Sequence, residues 1–144
     1  MVYLDTSFVA PLVIAEDASD AVEALVLKLK PGELSTSMWT RIELGSLVAR
    51  KVRMGQLSGS EAEAVRREFV RILDESFEIL LPAAADYAAA AKYLEIPKTR
   101  LRAGDALHLA TAANHGAKKI LSLDKGFVGT GKLLKLPVTR GIRS

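Results

Sequence analysis

The chain contains no cysteine. That absence excludes disulfides, thiolate metal sites and cysteine nucleophiles together, and it is compatible with a reducing cytoplasm, the compartment expected here. No apolar run approaches the roughly 20 residues needed to span a bilayer, so no membrane-spanning helix is expected. The first residues lead straight into a strand, without the basic region and cleavage site of a secretory leader. Repeats, low-complexity tracts and an interdomain linker are also missing, so residues 1–144 read as one domain of ordinary size. Charge of a single sign is scarce: 20 Lys and Arg against 17 Asp and Glu leave +3 at neutral pH. Such an excess permits a polyanionic partner without demanding one. What remains is a globular composition, 49% hydrophobic and 26% charged, which suits a packed fold rather than disorder.

Apolar periodicity and turn chemistry order the chain. Residues 2–5, Val-Tyr-Leu-Asp, predict a short strand, after which Thr6-Ser7 caps a helix through Phe8–Ile14. Pro11 falls early in that helix, where a missing N–H is tolerated. Ser19 caps a second helix, Asp20–Lys30, with Val22, Leu25, Val26 and Leu29 at helical spacing and Pro31-Gly32 closing it. Glu33–Ser37 predicts a second strand. Met38 to about Met54 predicts a third helix, with Trp39, Ile42, Leu47 and Val48 on its packed face and Glu43 lying among them. A fourth helix starts at Ser58 or Ser60 and runs to about Asp74, its Arg66, Arg67 and Arg71 set against Glu61, Glu63 and Glu68 on a solvated face.

Phe77–Leu81 predicts a third strand, stopped by Pro82 and followed by an alanine-rich helix, Ala83–Leu94. Ile96–Arg100 is a basic linker. The stretch Arg102–Gly116 reads as a helix small and apolar nearly all round, hence buried. Lys118–Asp124 predicts a strand, Gly126–Gly131 a loose turn and Leu136–Thr139 a last strand. Strands separated by helices imply an α/β fold: a short central parallel sheet with helices on both faces.

Several apolar elements stop or start at a carboxylate. Asp5 and Asp124 end strands, Asp105 sits in the first turn of the buried helix, and Glu43 lies early in the third helix. An Asp in a first turn has an ordinary use, because it complements the helix dipole. The repetition needs more. In open parallel sheets, ligands bind beyond the carboxyl ends of the strands, near a switch in strand order. Carboxylates converging there would repel one another strongly, and a divalent cation resolves the conflict. An all-oxygen site without cysteine suits Mg²⁺, with Mn²⁺ as substitute, rather than Zn²⁺. One or two such ions would bind a scissile phosphate, activate a water and stabilise the leaving oxygen. Ser7 and Ser122 could hydrogen-bond water or carboxylate beside the ions, or simply cap a helix and shape a turn.

Four segments, in order, carry a resemblance: Tyr3-Leu4-Asp5-Thr6-Ser7, Arg41-Ile42-Glu43-Leu44, Gly104-Asp105-Ala106-Leu107-His108-Leu109-Ala110-Thr111-Ala112 and Leu121-Ser122-Leu123-Asp124-Lys125-Gly126-Phe127. Together they make the chain similar to the PIN-domain family, and within it to the VapC-type toxins of prokaryotic toxin–antitoxin pairs. The resemblance implies a PIN-like fold and an Mg²⁺-dependent endoribonuclease in which Asp5, Glu43, Asp105 and Asp124 are the acidic, metal-binding and catalytic quartet. It also implies a VapB-type antitoxin that places a side chain, often Arg, into the acidic pocket. A homodimer through the helices containing Trp39 and Tyr87 is implied as well. Transfer RNA and a ribosomal RNA loop are both substrates within the family. Some members carry a further acid two residues after the fourth, where this chain has Gly126; occupancy by one or two metals stays open.

Lesser candidates have plainer readings beside the functional one. His108, three residues after Asp105, is either a metal ligand or base or a hydrogen-bonded core histidine. His115 suits a helix C-terminus. Arg102 would pair with Asp105 or another acid, or contact phosphate. Lys98, Arg100, Arg102 and Lys125 could hold RNA backbone at the rim, or merely be solvated. The competing function is a non-catalytic RNA- or protein-binding module on the same fold. A phosphatase or phosphoacceptor using Asp5 fits less well, because Ser7 stands where a haloacid-type enzyme needs a second Asp and Val2-Tyr3 supply no acid for a receiver-like site.

Overall fold

The structure is a computed structural model, and it describes residues 1–143. Five parallel strands, β1 (Val2–Leu4), β2 (Leu34–Ser37), β3 (Glu78–Leu80), β4 (Lys119–Leu121) and β5 (Val138–Thr139), lie in the order β3-β2-β1-β4-β5. The chain therefore builds outward from β1 on one side, then returns to the other side through β4. The reversal of strand order falls between β1 and β4, where Tyr3 pairs with Ile120 and Leu4 with Leu121.

Alternation along these strands divides the core in two. Leu4, Leu34 and Leu121 face one layer with Phe8, Leu44, Val48, Phe69 and Leu73. That layer holds α1 (Thr6–Val9), α2 (Ser19–Val26), α3 (Trp39–Arg53) and α4 (Gly59–Ser76). Tyr3, Leu80, Ile120 and Val138 face the opposite layer with Leu109 and Phe127. There α5 (Ala84–Leu94), α6 (Ala103–Asn114) and α7 (Lys125–Leu133) pack. Helices thus cover both faces of a parallel sheet, as the order of elements implies. Every residue from Ala106 to Ala112 in α6 is buried, in keeping with its apolar circumference. Among the described residues no helix is long and apolar enough to cross a membrane.

Several expectations are corrected. The loose turn at Gly126–Gly131 is part of α7, a helix despite three glycines. Asp124 caps it by accepting from the Phe127 N–H, and Gly131 lets Val138 approach, since a Cβ there would lie 2.1 Å from Val138 Cγ2. The first helix is only four residues long, continued by a 3-10 turn at Ala10–Leu12 that holds Pro11, and its cap is Asp5 rather than Thr6 or Ser7. Ser19 lies inside α2, not at its cap, and the helix ends at Val26. On α3 the buried residues are Thr40, Leu44 and Val48, while Ile42 is 61% exposed. Trp39 is half-buried against Ala90, Ala106 and Leu107. Ser58, with Glu61, forms a full capping box on α4, settling the choice between Ser58 and Ser60. The charged side of α4 is a solvated face, carrying Arg71 between Glu68 and Glu75.

Candidate active site

Asp5 follows the last residue of β1 and turns directly into α1, so its carboxylate is presented at the β1/β4 crevice. It is buried. Its Oδ1 accepts from Ser7 Oγ at 2.7 Å and from the Phe8 N–H at 3.1 Å, and its Oδ2 accepts from Ser122 Oγ at 2.6 Å. Ser7 in turn accepts from the Leu123 N–H, and Ser122 from the Asp124 N–H, so the ends of β1 and β4 are laced together. Burial pushes the Asp5 carboxyl up to about 6, against the positive influence of His108 and the hydrogen bonds of Ser122, Ser7 and Phe8. Desolvation of the charged form outweighs the donors here.

Asp124 lies two residues beyond Ser122 and is exposed at the rim. Asp105, half-buried in the first turn of α6, has its carboxyl raised by burial first and then by the negative charges of Asp124 and Glu43. Asp124 and Glu43 thus act on Asp105 from other parts of the chain.

Glu43 is held differently. Its Oε1 accepts from Thr6 Oγ1 at 2.7 Å and is bonded to His108 Nε2, whose other ring nitrogen, Nδ1, meets the Tyr3 hydroxyl at 2.5 Å. Burial opposes ionisation of Glu43, yet the hydrogen bond and charge of His108, with Thr6, hold its carboxyl below the ordinary range. Its Oε2 lies against Gly104, where a Cβ would stand 2.6 Å from that oxygen and 2.9 Å from Trp39 Nε1. The indole N–H of Trp39 is buried with no partner within hydrogen-bond geometry. Burial also raises the Tyr3 hydroxyl, with Asp5 adding to it.

Among the described residues, no three His, Asp or Glu side chains converge closely enough to cage one ion as they stand. Asp5 is buried, Glu43 and Asp105 are half-buried and Asp124 is exposed. The donor chemistry still fits a hard divalent cation: every candidate ligand is a carboxylate oxygen, and Asp105 carries an excess of negative charge around it that a cation would relieve.

The structure decides among the lesser readings. His108 is 1% exposed with both nitrogens occupied, a hydrogen-bonded core histidine that touches Glu43. Ser7 and Ser122 both bond Asp5. Arg102 is exposed, and among the described residues it forms no ion pair, so its pairing with Asp105 is not found. His115 caps α6 through Nδ1 to the Thr111 carbonyl oxygen at 2.7 Å. Thr6 and Tyr3 are contributors that the sequence reading did not single out. Thr6 lies beside Asp5 in the chain, but nothing local points it at Glu43, 37 positions away.

The PIN domain family model matches residues 2–133. Among solved structures, FitAcB from Neisseria gonorrhoeae is similar over 98% of each chain, with a TM-score of 0.77 and 22% identity. VapC20 of Mycobacterium tuberculosis, described as a sarcin-ricin loop cleaving toxin, is 20% identical with a TM-score of 0.70, covering 91% of this chain and 95% of its own. VapBC-1 from nontypeable Haemophilus influenzae is 17% identical with a TM-score of 0.70 over 98% of each chain. At these identities the likeness is one of fold. Comparison with curated protein sequences gives no match.

Proposed function

Because this chain belongs to the PIN domain family, we propose that it is a metal-dependent endoribonuclease acting as the toxin of a toxin–antitoxin pair. The observation that supports this reading is that Asp5 is held at the reversal of strand order, bonded to Ser122, while burial and the charges of Asp124 and Glu43 raise the Asp105 carboxyl. Ligands favour this position in open parallel sheets. Asp5, Asp105 and Asp124, with Glu43, would hold Mg²⁺, or Mn²⁺ in its place. When bound, such an ion would supply charge neutralisation at a phosphodiester and a more acidic water at neutral pH.

The chain's own residues prepare that chemistry. Ser7, Ser122 and the Phe8 N–H orient the Asp5 carboxylate. His108 and Thr6 orient Glu43 and hold its carboxyl below the ordinary range. Exposed Asp124 leaves the rim open to a chain as bulky as structured RNA, of which transfer RNA and ribosomal RNA are the two classes in view. The VapC20 neighbour, a sarcin-ricin loop cleaving toxin, supports the second.

Partners follow from the same reading. A VapB-type antitoxin is supported by the VapBC-1 neighbour. A homodimer is supported by exposed apolar side chains on α3, just before it and on α5: Ile42, Met38, Tyr87 and Leu94 are 61%, 38%, 56% and 42% exposed. Tyr87 and Leu94 line one apolar cleft with Trp39, and contiguous exposed apolar surface marks interaction sites.

One observation favours a non-catalytic binding module on the same fold: the acids do not close on a single ion as placed. The deciding experiment is RNA cleavage by purified, antitoxin-free protein with Mg²⁺ or Mn²⁺, with EDTA and Asp105→Asn as controls. Cleavage that stops in both controls supports the nuclease. Cleavage unchanged in both, or no cleavage with metal present, rejects it.

A further inference from the structure

Beside Asp124 lies a second, differently charged feature. A cleft of about 320 Å³ opens between α7 and the end of β5, lined by Leu123, Lys125, Val128, Gly129, Lys132 and Arg140. Three of these six carry positive charge and none carries negative. Among the described residues, neither Lys125, Lys132 nor Arg140 has a carboxylate within ion-pair distance. Arg140 is half-buried, its Nη1 donating to the Leu123 carbonyl oxygen at 3.4 Å, while its Nε is buried without a partner. A buried, unpaired donor on a charged group is costly unless something else satisfies it.

Gly129 lines the same cleft. Glycine inside a helix costs stability. At Gly131 packing explains the residue, but a Cβ at Gly129 would meet nothing within 4 Å. The fold has no steric use for the missing side chain there; its effect is to leave the cleft wall as bare backbone. The cleft also lies beside Asp124, since Leu123 and Lys125 flank that residue in the chain.

We propose that this cleft seats a backbone phosphate of the RNA substrate, held by Arg140, Lys132 and Lys125 while a neighbouring phosphodiester lies at the acidic crevice. The proposal rests on the nuclease reading and extends it by naming how the strand is registered. A guanidinium oriented toward a carbonyl oxygen, with its Nη2 in no hydrogen bond among the described residues, suits a phosphate oxygen, and the flanking ammonium groups add charge without demanding a base sequence. The acidic crevice repels RNA wherever metal does not neutralise it, so a cationic seat beside it offsets that repulsion and orients the strand.

The test measures binding of a fluorescein-labelled RNA hairpin to protein carrying Asp105→Asn, in Mg²⁺, across a salt series. In that background, Lys132→Ala with Arg140→Ala should weaken binding about tenfold at low salt and reduce the slope of log affinity against log salt by about 1.4, roughly 0.7 per cation removed. Lys132→Ala alone, at an exposed position, should take about half of that slope change. Arg140→Lys should restore most of the slope. Gly129→Glu should weaken binding at least as much while leaving the thermal transition and circular dichroism intact. Affinity and slope equal to the parent's in these variants, with wild-type protein still cleaving RNA, would overturn the phosphate seat alone and leave the cleft to an acidic protein segment. Failure of wild-type protein either to cleave or to bind RNA would reject the nuclease reading and the seat with it.

Discussion

Ser122 and Asp5, 117 positions apart in the chain, meet across a 2.6 Å hydrogen bond at the point where the strand order reverses. Ser122 is itself fully buried, so this contact ties β1 to β4 and orients the most enclosed acid of the crevice.

Stability without metal should depend on Asp5 in a defined direction. Its carboxyl titrates near 3.8 when unperturbed and near 6 in the folded protein, chiefly because burial disfavours the charge. The folded state therefore binds the proton more tightly. The associated stability is complete below about pH 4, is lost as pH rises to about 6 and stays absent above it. The difference corresponds to roughly 3 kcal/mol. In EDTA at pH 7.5, Asp5→Asn should melt at a higher temperature than the parent, and the gap should close near pH 4. Saturating Mg²⁺ should raise the parent's transition and leave that of Asp5→Asn nearly unmoved. A variant less stable than the parent in EDTA at pH 7.5 contradicts the account.

The Tyr3–His108–Glu43 chain should act as one unit. Removing the hydroxyl in Tyr3→Phe leaves His108 Nδ1 unpaired in the core, a loss of about 1–2 kcal/mol by urea denaturation. His108→Leu strands both the Tyr3 hydroxyl and part of Glu43, at a cost of about 2–4 kcal/mol. Because the two share partners, the double variant should cost less than the sum of the singles. Strict additivity would show that the contacts do not form a chain.

Gly104 should tolerate no side chain. A Cβ there would crowd Glu43 Oε2 at 2.6 Å and Trp39 Nε1 at 2.9 Å. Gly104→Ala should therefore destabilise by about 1–3 kcal/mol despite alanine's better helix propensity. The matched control is Gly45→Ala on α3, where a Cβ meets nothing within 4 Å, and which should stabilise by about 0.5–1 kcal/mol. Trp39 is the single tryptophan, so its emission should shift in Gly104→Ala and not in Gly45→Ala. An unshifted emission and unchanged stability in Gly104→Ala would refute the packing argument.

The apolar side chains of α3 and α5 predict self-association. Ile42→Arg with Tyr87→Arg, both at exposed positions, should convert a dimer to a monomer in sedimentation velocity while leaving the thermal transition of the subunit within about 0.5 kcal/mol. A wild-type protein that sediments as a monomer, or a variant that remains dimeric, would remove this face as the interface.

The sequence by itself determined the class of the fold. Strand–helix alternation and the buried body of α6 follow from local periodicity, which reads correctly wherever burial runs uniformly along an element. Local reading failed where tertiary contacts override it. Three glycines argue against α7, yet Asp124 caps it and Val138 needs the space at Gly131. Ile42 is apolar at a plausible core position, but the helix turns it outward. The meeting of Asp5 and Ser122 was decided by strand order, which no local pattern contains. The same holds for His108 and Thr6 meeting on Glu43, and for Arg140 reaching the carbonyl oxygen of Leu123. Residue types state which chemistry is available; long-range packing alone decides which side chains meet, because hydrogen bonds between groups dozens of residues apart leave no periodic trace in the chain.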